Sequence, residues 1–213
     1  MAKKVYFFDM DGTLINSMQL AWDKVILRFL DERGISYPDD IITNLVTRGF
    51  HGIAKYYVEH YGVDMTPKEL YDWFMVELEP MYQNEFPLKD GAKEFILSLK
   101  AQGFEVNVIS GSPLRFVVPC FKRLEIYDLF DNVLSLEEFG LTKADKELYV
   151  KLAERVNANP SDCVVIDDSV NAIKTAKSAG VQTIGIYEQA VKNTWEEMKA
   201  VADKTIITFK ELL

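Results

Sequence analysis

The sequence is poor in the residues that hold soft metals or staple small folds: among 213 residues there are two cysteines and two histidines. Cys120 and Cys163 form no C-x-x-C pair, and a chain of this size does not need a lone disulfide. Both are expected to be reduced, with Cys163 part of the core. His51 and His60 are too few for a histidine-rich zinc site, so any metal must be held mainly by oxygen, which points to Mg²⁺ or Ca²⁺. Positive charge is also scarce. Against 33 Asp and Glu there are 24 Lys and Arg, a net charge of −9, the wrong sign for tracking a phosphate backbone, so no nucleic-acid partner is expected. No apolar run reaches the ~18–20 residues of a membrane span, and Met1-Ala2-Lys3-Lys4 leads into a strand-like run without a small-residue cleavage site. The expectation is a soluble cytoplasmic protein with no membrane partner, a monomer or weak homodimer.

What is present is the composition of a folded protein: 48% apolar and 27% charged residues, with 11 Gly and 7 Pro, which excludes disorder as the main state. The length fits one large core or a core with an insert. Short apolar runs end in turn or acidic residues at Val5–Phe8, Val106–Ile109, Val133–Leu134, Val164–Ile166, Thr183–Ile186 and Thr205–Ile207. Near-continuous apolar runs of this length suit parallel strands buried on both faces. Helical patterns lie between them at Ala92–Lys100, Glu147–Val156 and Asn171–Ala179, two of them stopped by Gly103 and Gly180. Alternating strands and helices predict an α/β fold, a Rossmann-like open parallel sheet with helices on both faces.

Between Asn16 and Phe86 the alternation stops, and the pattern is helical only: Met18–Arg33, a segment near Ile53–Tyr61, and Pro67–Gln83, for which Thr66-Pro67 offers a cap and a first-turn proline. This predicts a small helical cap domain, residues 16–86, inserted after the first strand of a core domain formed by 1–15 and 87–213.

The chemistry gathers at strand ends. Asp9-Met10-Asp11-Gly12-Thr13 closes the first strand; residues two apart point to the same side, so Asp9 and Asp11 can share a site, and Gly12 allows the sharp departure. A calcium loop does not fit, because Gly12 stands at the fourth position and Leu20 at the twelfth. Ser110-Gly111-Ser112-Pro113 follows the second strand, with Ser112 expected as the N-cap of a helix whose free N–H groups face the strand end. Lys143 or Lys146 precedes a helix and could neutralise a phosphate as a point charge. Asp167-Asp168 closes a later strand, a second acidic pair whose members repel unless a cation or proton offsets them.

This set resembles the haloacid dehalogenase superfamily, in its phosphatase branch with a helical cap after the first motif, the branch of phosphoglycolate phosphatases and β-phosphoglucomutases. Asp9 to Thr13 match D-x-D-G-T completely; Ser110 matches the second motif, Lys143 with Tyr149 the third, and Asp167 with Asp168 the fourth. The chain departs at Asn16, where an acidic residue is common, at Lys143-Ala144-Asp145-Lys146, which lacks the usual prolines, and at Asp167, where Glu or Gly is commoner. The spacing to Tyr149 favours Lys143.

The resemblance implies a phosphatase acting on a small phosphorylated substrate. Asp9 would attack phosphorus to give an aspartyl-phosphate, and Asp11 would protonate the leaving oxygen and later take a proton from water. Mg²⁺ would be held by Asp9, the Asp11 carbonyl, Asp168 and Asp167, while Gly12, Ser110, Gly111 and Lys143 would contact the phosphoryl group. Dehalogenation fits poorly because Asp11 is present. A phosphomutase is the alternative, though such caps usually carry a His where Ala21 stands; a catalytically silent phosphate- or metal-responsive binding protein is another. In the cap, Thr47-Arg48-Gly49-Phe50-His51-Gly52 is the most site-like segment, with Arg48 and His51 as candidate substrate contacts. Leu14–Ser17 and Glu85–Leu88 are expected hinges.

Overall fold

The computed structural model describes residues 4–45 and 48–213. In chain order the elements are β1 (Val5–Phe8), α1 (Met18–Ala21), α2 (Arg28–Asp31), α3 (Ile41–Leu45), α4 (Gly49–Tyr61), α5 (Pro67–Asn84), α6 (Ala92–Ala101), β2 (Glu105–Ser110), α7 (Leu114–Arg123), β3 (Asn132–Ser135), α8 (Lys146–Arg155), β4 (Cys163–Asp167), α9 (Val170–Ser178), β5 (Gln182–Ile186), α10 (Trp195–Val201) and β6 (Lys204–Ile206). A π-helical stretch, Trp22–Leu27, joins α1 to α2 into one helical run.

All six strands are parallel, in the order β3-β2-β1-β4-β5-β6. Every expected apolar run is a strand, although Ile207 falls just outside β6. Side chains alternate between the two faces of a strand. Phe8, Val106, Val108 and Ile166 therefore pack on one face with α6, α7 and the helices that follow β1. Phe7, Ile109 and Val165 pack on the other with α8, α9 and α10. Because β1 pairs with both β2 and β4, the carboxyl ends of these three strands, Phe8, Ser110 and Asp167, are neighbours despite their distance in sequence.

The segment after β1 is helical, as expected, with a short helix α3 that periodicity did not indicate. α5 begins with a complete capping box: Thr66 accepts from the Glu69 amide, and Glu69 accepts from the Thr66 amide at 2.8 Å. Phe29, Tyr57 and Phe74 are fully buried among these helices. The chain leaves and re-enters the sheet region through one antiparallel rung, Ile15 opposite Leu88. It is flanked by hydrogen bonds from the Asn16 amide to the Pro87 carbonyl at 2.9 Å and from the Lys89 amide to the Leu14 carbonyl at 2.8 Å.

Candidate active site

Asp9 follows directly on β1, and its amide donates to the Ile166 carbonyl of β4 at 3.0 Å, so the sheet ladder itself places it beside Asp167 and Asp168. Carboxylate oxygens of these three residues lie within 4.8 Å of one another. Asp167 is oriented by the Ser169 amide at 2.8 Å. Asp168 is held by Thr13, whose hydroxyl accepts from the Asp168 amide at 3.1 Å and lies 3.4 Å from Oδ1.

Lys143 is the lysine that reaches this cluster. Its Nζ contacts Asp9 Oδ1 and lies 2.7 Å from Asp167 Oδ2, whereas Lys146 opens α8 on the exposed surface. The reason for the six-residue spacing is visible: the Tyr149 hydroxyl lies 3.1 Å from both the Lys143 and the Ala172 carbonyls, pinning the lysine's loop to α9 without any proline.

Three carboxylates facing one ammonium leave the cluster short of positive charge. Burial, only partly countered by Lys143 and reinforced by Asp167 and Asp11, pushes the Asp9 carboxyl up to about 7. Burial together with the Asp167 and Asp9 charges raises Asp168 as well. Burial opposes the charged form of Lys143, yet Asp167 and Asp9 outweigh it and hold the ammonium above the ordinary lysine range.

Asp11 lines the same site, in a cavity of about 560 Å³ with Met18, Thr142, Lys143, Asp167, Asp168 and Thr194 on its walls. Its carboxylate accepts from Ser17 Oγ at 2.7 Å and Tyr82 OH at 2.8 Å on Oδ1, and from Ser112 Oγ at 2.7 Å on Oδ2. This corrects the expected role of Ser112. α7 starts at Leu114 with Pro113 in the cap position, and the Ser112 side chain turns to Asp11 instead. Ser110 is fully buried at the end of β2, its Oγ accepting from the Ser112 amide at 3.0 Å, with Gly111 exposed beside it. The Gly12 amide is committed to the Ile15 carbonyl at 3.1 Å, so what this glycine supplies is space rather than a donor for phosphate.

The structure does not bring Arg48 and His51 into this cavity. Arg48 is exposed, donates to the Asn44 carbonyl at 3.1 Å and stacks on Tyr56, while the His51 ring lies flat on Tyr71 with centroids 3.5 Å apart. Thr47 of the same expected segment lies outside the described residues. Sequence reasoning missed Tyr82, whose hydroxyl acts 71 residues from its partner, and the buried pair Lys89–Glu188, 2.8 Å apart.

The chain is 26% identical to hexitol phosphatase B of Escherichia coli K12, over 97% of this chain and 95% of the relative. It is 30% identical to a phosphoglycolate phosphatase of Colwellia psychrerythraea, over 86% of this chain and 84% of the relative. A crystal structure described as a predicted phosphoglycolate phosphatase from Haemophilus somnus superposes with a TM-score of 0.82 over 99% of this chain and 96% of its own, at 21% identity. A family model for haloacid dehalogenase-like hydrolases matches residues 3–180. With that match spanning most of the chain, and its phosphatase-named relatives aligned almost end to end, the protein belongs to the haloacid dehalogenase-like hydrolases.

Proposed function

We propose that the chain is a Mg²⁺-dependent phosphatase that hydrolyses a small phosphorylated metabolite in the cytoplasm through an aspartyl-phosphate on Asp9, residues 16–86 serving as a cap over the core. The observation that carries this reading is the convergence of Asp9, Asp167 and Asp168 within 4.8 Å around a single ammonium. Such a donor set fits Mg²⁺, a hard ion that takes a few carboxylates and completes its shell with water and phosphate. Asp9, Asp168, Asp167 and the Asp11 backbone carbonyl would hold it. When bound, it supplies the positive charge that lets an anionic nucleophile and an anionic phosphate approach each other.

The remaining chemistry belongs to the side chains. Lys143, fixed between Asp9 and Asp167, aims the Asp9 carboxylate and offers its ammonium to the phosphoryl oxygens. Ser110 and the Gly111 amide complete that cradle at the end of β2. Asp9 attacks phosphorus and forms a P–O bond while the leaving oxygen departs with a proton from Asp11. Asp11 then takes a proton from water, which attacks the aspartyl-phosphate and returns Asp9 with free phosphate. Splitting the displacement in two lets one carboxyl serve as acid first and base second.

The test is release of inorganic phosphate from polyol phosphates, sugar phosphates, phosphoglycolate and p-nitrophenyl phosphate, with Mg²⁺ and with EDTA. Metal-dependent turnover that vanishes in Asp9→Asn is expected. Absence of phosphate release from every compound would favour a silent binding protein and overturn the reading.

A further inference from the structure

The surroundings of Asp11 are more elaborate than a half-buried carboxylate at a cavity wall requires, since water can serve one side of it. Its three hydroxyl partners come from three separate places: Ser17 before α1, Tyr82 in the last turns of α5, and Ser112 before α7. Ser17 occupies the N-cap position of α1 yet makes no side-chain cap bond there. The fold thus forgoes a cap bond and directs that hydroxyl to Asp11.

The three partners are not equivalent. A serine hydroxyl turns freely about its Cβ and can follow a moving acceptor. Tyr82 cannot: its side chain is 2% exposed, its ring stacks on Phe116 of α7 with centroids 5.1 Å apart, and it meets Phe86 edge-on at 4.8 Å. The phenol oxygen is therefore fixed by packing, and the flexible groups adapt to it.

Tyr82 OH also lies 3.1 Å from Ser112 Oγ, which closes a ring: Asp11 Oδ1, Tyr82 OH, Ser112 Oγ, Asp11 Oδ2. The two carboxylate oxygens are thus held by hydroxyls that also touch each other, so neither can shift without disturbing the other.

We propose that Tyr82 is a positioning residue for Asp11: its ring-locked hydroxyl, working with Ser112 and Ser17, fixes the direction in which the carboxyl faces the leaving-group oxygen, and ties that direction to the seating of α5 on α7. The proposal rests on the reading of Asp11 as the acid and base of phosphate-ester cleavage.

The test compares two aryl phosphates in the Mg²⁺-supplied full-length protein. Nitrophenolate leaves without help, whereas the phenolate of phenyl phosphate is a poorer leaving group and needs the proton. The ratio kcat/KM covers the steps up to aspartyl-phosphate formation and so isolates the acid's role. Tyr82→Phe keeps the aromatic packing and is expected to lower kcat/KM at least about tenfold for phenyl phosphate and by less than about twofold for p-nitrophenyl phosphate. In an Asp11→Asn background it should add nothing further on phenyl phosphate, because the group it positions is gone. Ser112→Ala, which leaves the ring stack untouched, should show the same substrate-dependent loss and serves if Tyr82→Phe does not fold. Equal losses on both substrates, no loss on either, or a gain would overturn the positioning role. If Asp11→Asn itself shows no preference between the two substrates, the acid reading fails, and the Tyr82 proposal falls with it for that separate reason.

Discussion

A β-carbon on Gly12 would stand 2.5 Å from Asp168 Oδ2 and 2.9 Å from its carboxyl carbon, at a residue whose φ is +78°. The glycine of the first motif is thus required twice, for a left-handed backbone and for the approach of the carboxylate that follows β4. Gly12→Ala should cost about 1–2 kcal/mol for the backbone alone and displace Asp168. In a thermal melt series with increasing Mg²⁺, the variant should show little of the stabilisation that the ion gives the parent, together with a loss of phosphatase activity.

Lys143 and Lys146 are three residues apart and differ completely in surroundings. Lys143→Met should reduce kcat on p-nitrophenyl phosphate by about 10²-fold or more, the loss seen when a positioned charge is withdrawn from an anionic transition state. Lys146→Met should remain within about twofold of the parent. Tyr149→Phe should fall between them, because the lysine's loop loses its tie to α9 while the ammonium itself survives.

The Asp9 carboxylate is expected to destabilise the metal-free fold. Burial and the neighbouring carboxylates raise the Asp9 carboxyl to about 7, against an ordinary value of about 3.9 for an unfolded aspartate. Between these values the folded state binds more protons than the unfolded state, so this group makes stability fall as pH rises through that window, with the whole penalty present above it. In EDTA, Asp9→Asn should therefore melt at a higher temperature than the parent at pH 8, and the gap should shrink towards pH 4. Equal melting temperatures at pH 8 would contradict the assignment.

Lys89 and Glu188 form the most deeply buried ion pair among the described residues outside the cluster around Lys143, 8% and 6% exposed, with Lys89 also donating to the Tyr187 carbonyl at 2.7 Å. Lys89→Met would strand a carboxylate in the interior and should cost about 3–5 kcal/mol, read as a shift in the urea midpoint. Lys89→Met with Glu188→Gln should recover most of it, since neither member is then a buried unpaired charge.

The elements and residues legible in the sequence are those whose signal is local. The apolar strand runs, the Thr66-Pro67 helix start and the acidic residues at strand ends each carry their meaning within a few positions. The short helices α3 and α10 span five and seven residues, too few turns for an apolar stripe to stand out. Ser112 leaves the α7 cap to Pro113 because the residue type that caps a helix also suits a carboxylate, and only the fold decides which is nearer. Tyr82 sat unmarked among the aromatic residues of α5, where periodicity shows a buried face but says nothing about where a hydroxyl points. Lys143 rather than Lys146 was legible from its spacing to Tyr149, but the reason for that spacing, a bond from the Tyr149 hydroxyl to the Lys143 carbonyl, is a tertiary contact that no local pattern contains.

The single rung joining Ile15 to Leu88 has a mechanical consequence. Two strands of backbone pinned together at one point resist sliding apart but offer little torque against turning, so if the helical segment moves as a unit, a swing about an axis through that rung would be the easiest displacement. Asn16 and Pro87 would then stay almost in place, and the far helices would sweep the widest arc. Such a swing would have to break the Tyr82 stack on Phe116 and the bond from Arg123 to the Phe86 carbonyl, so the hydroxyl partner of Asp11 sits among the contacts that would restrain it.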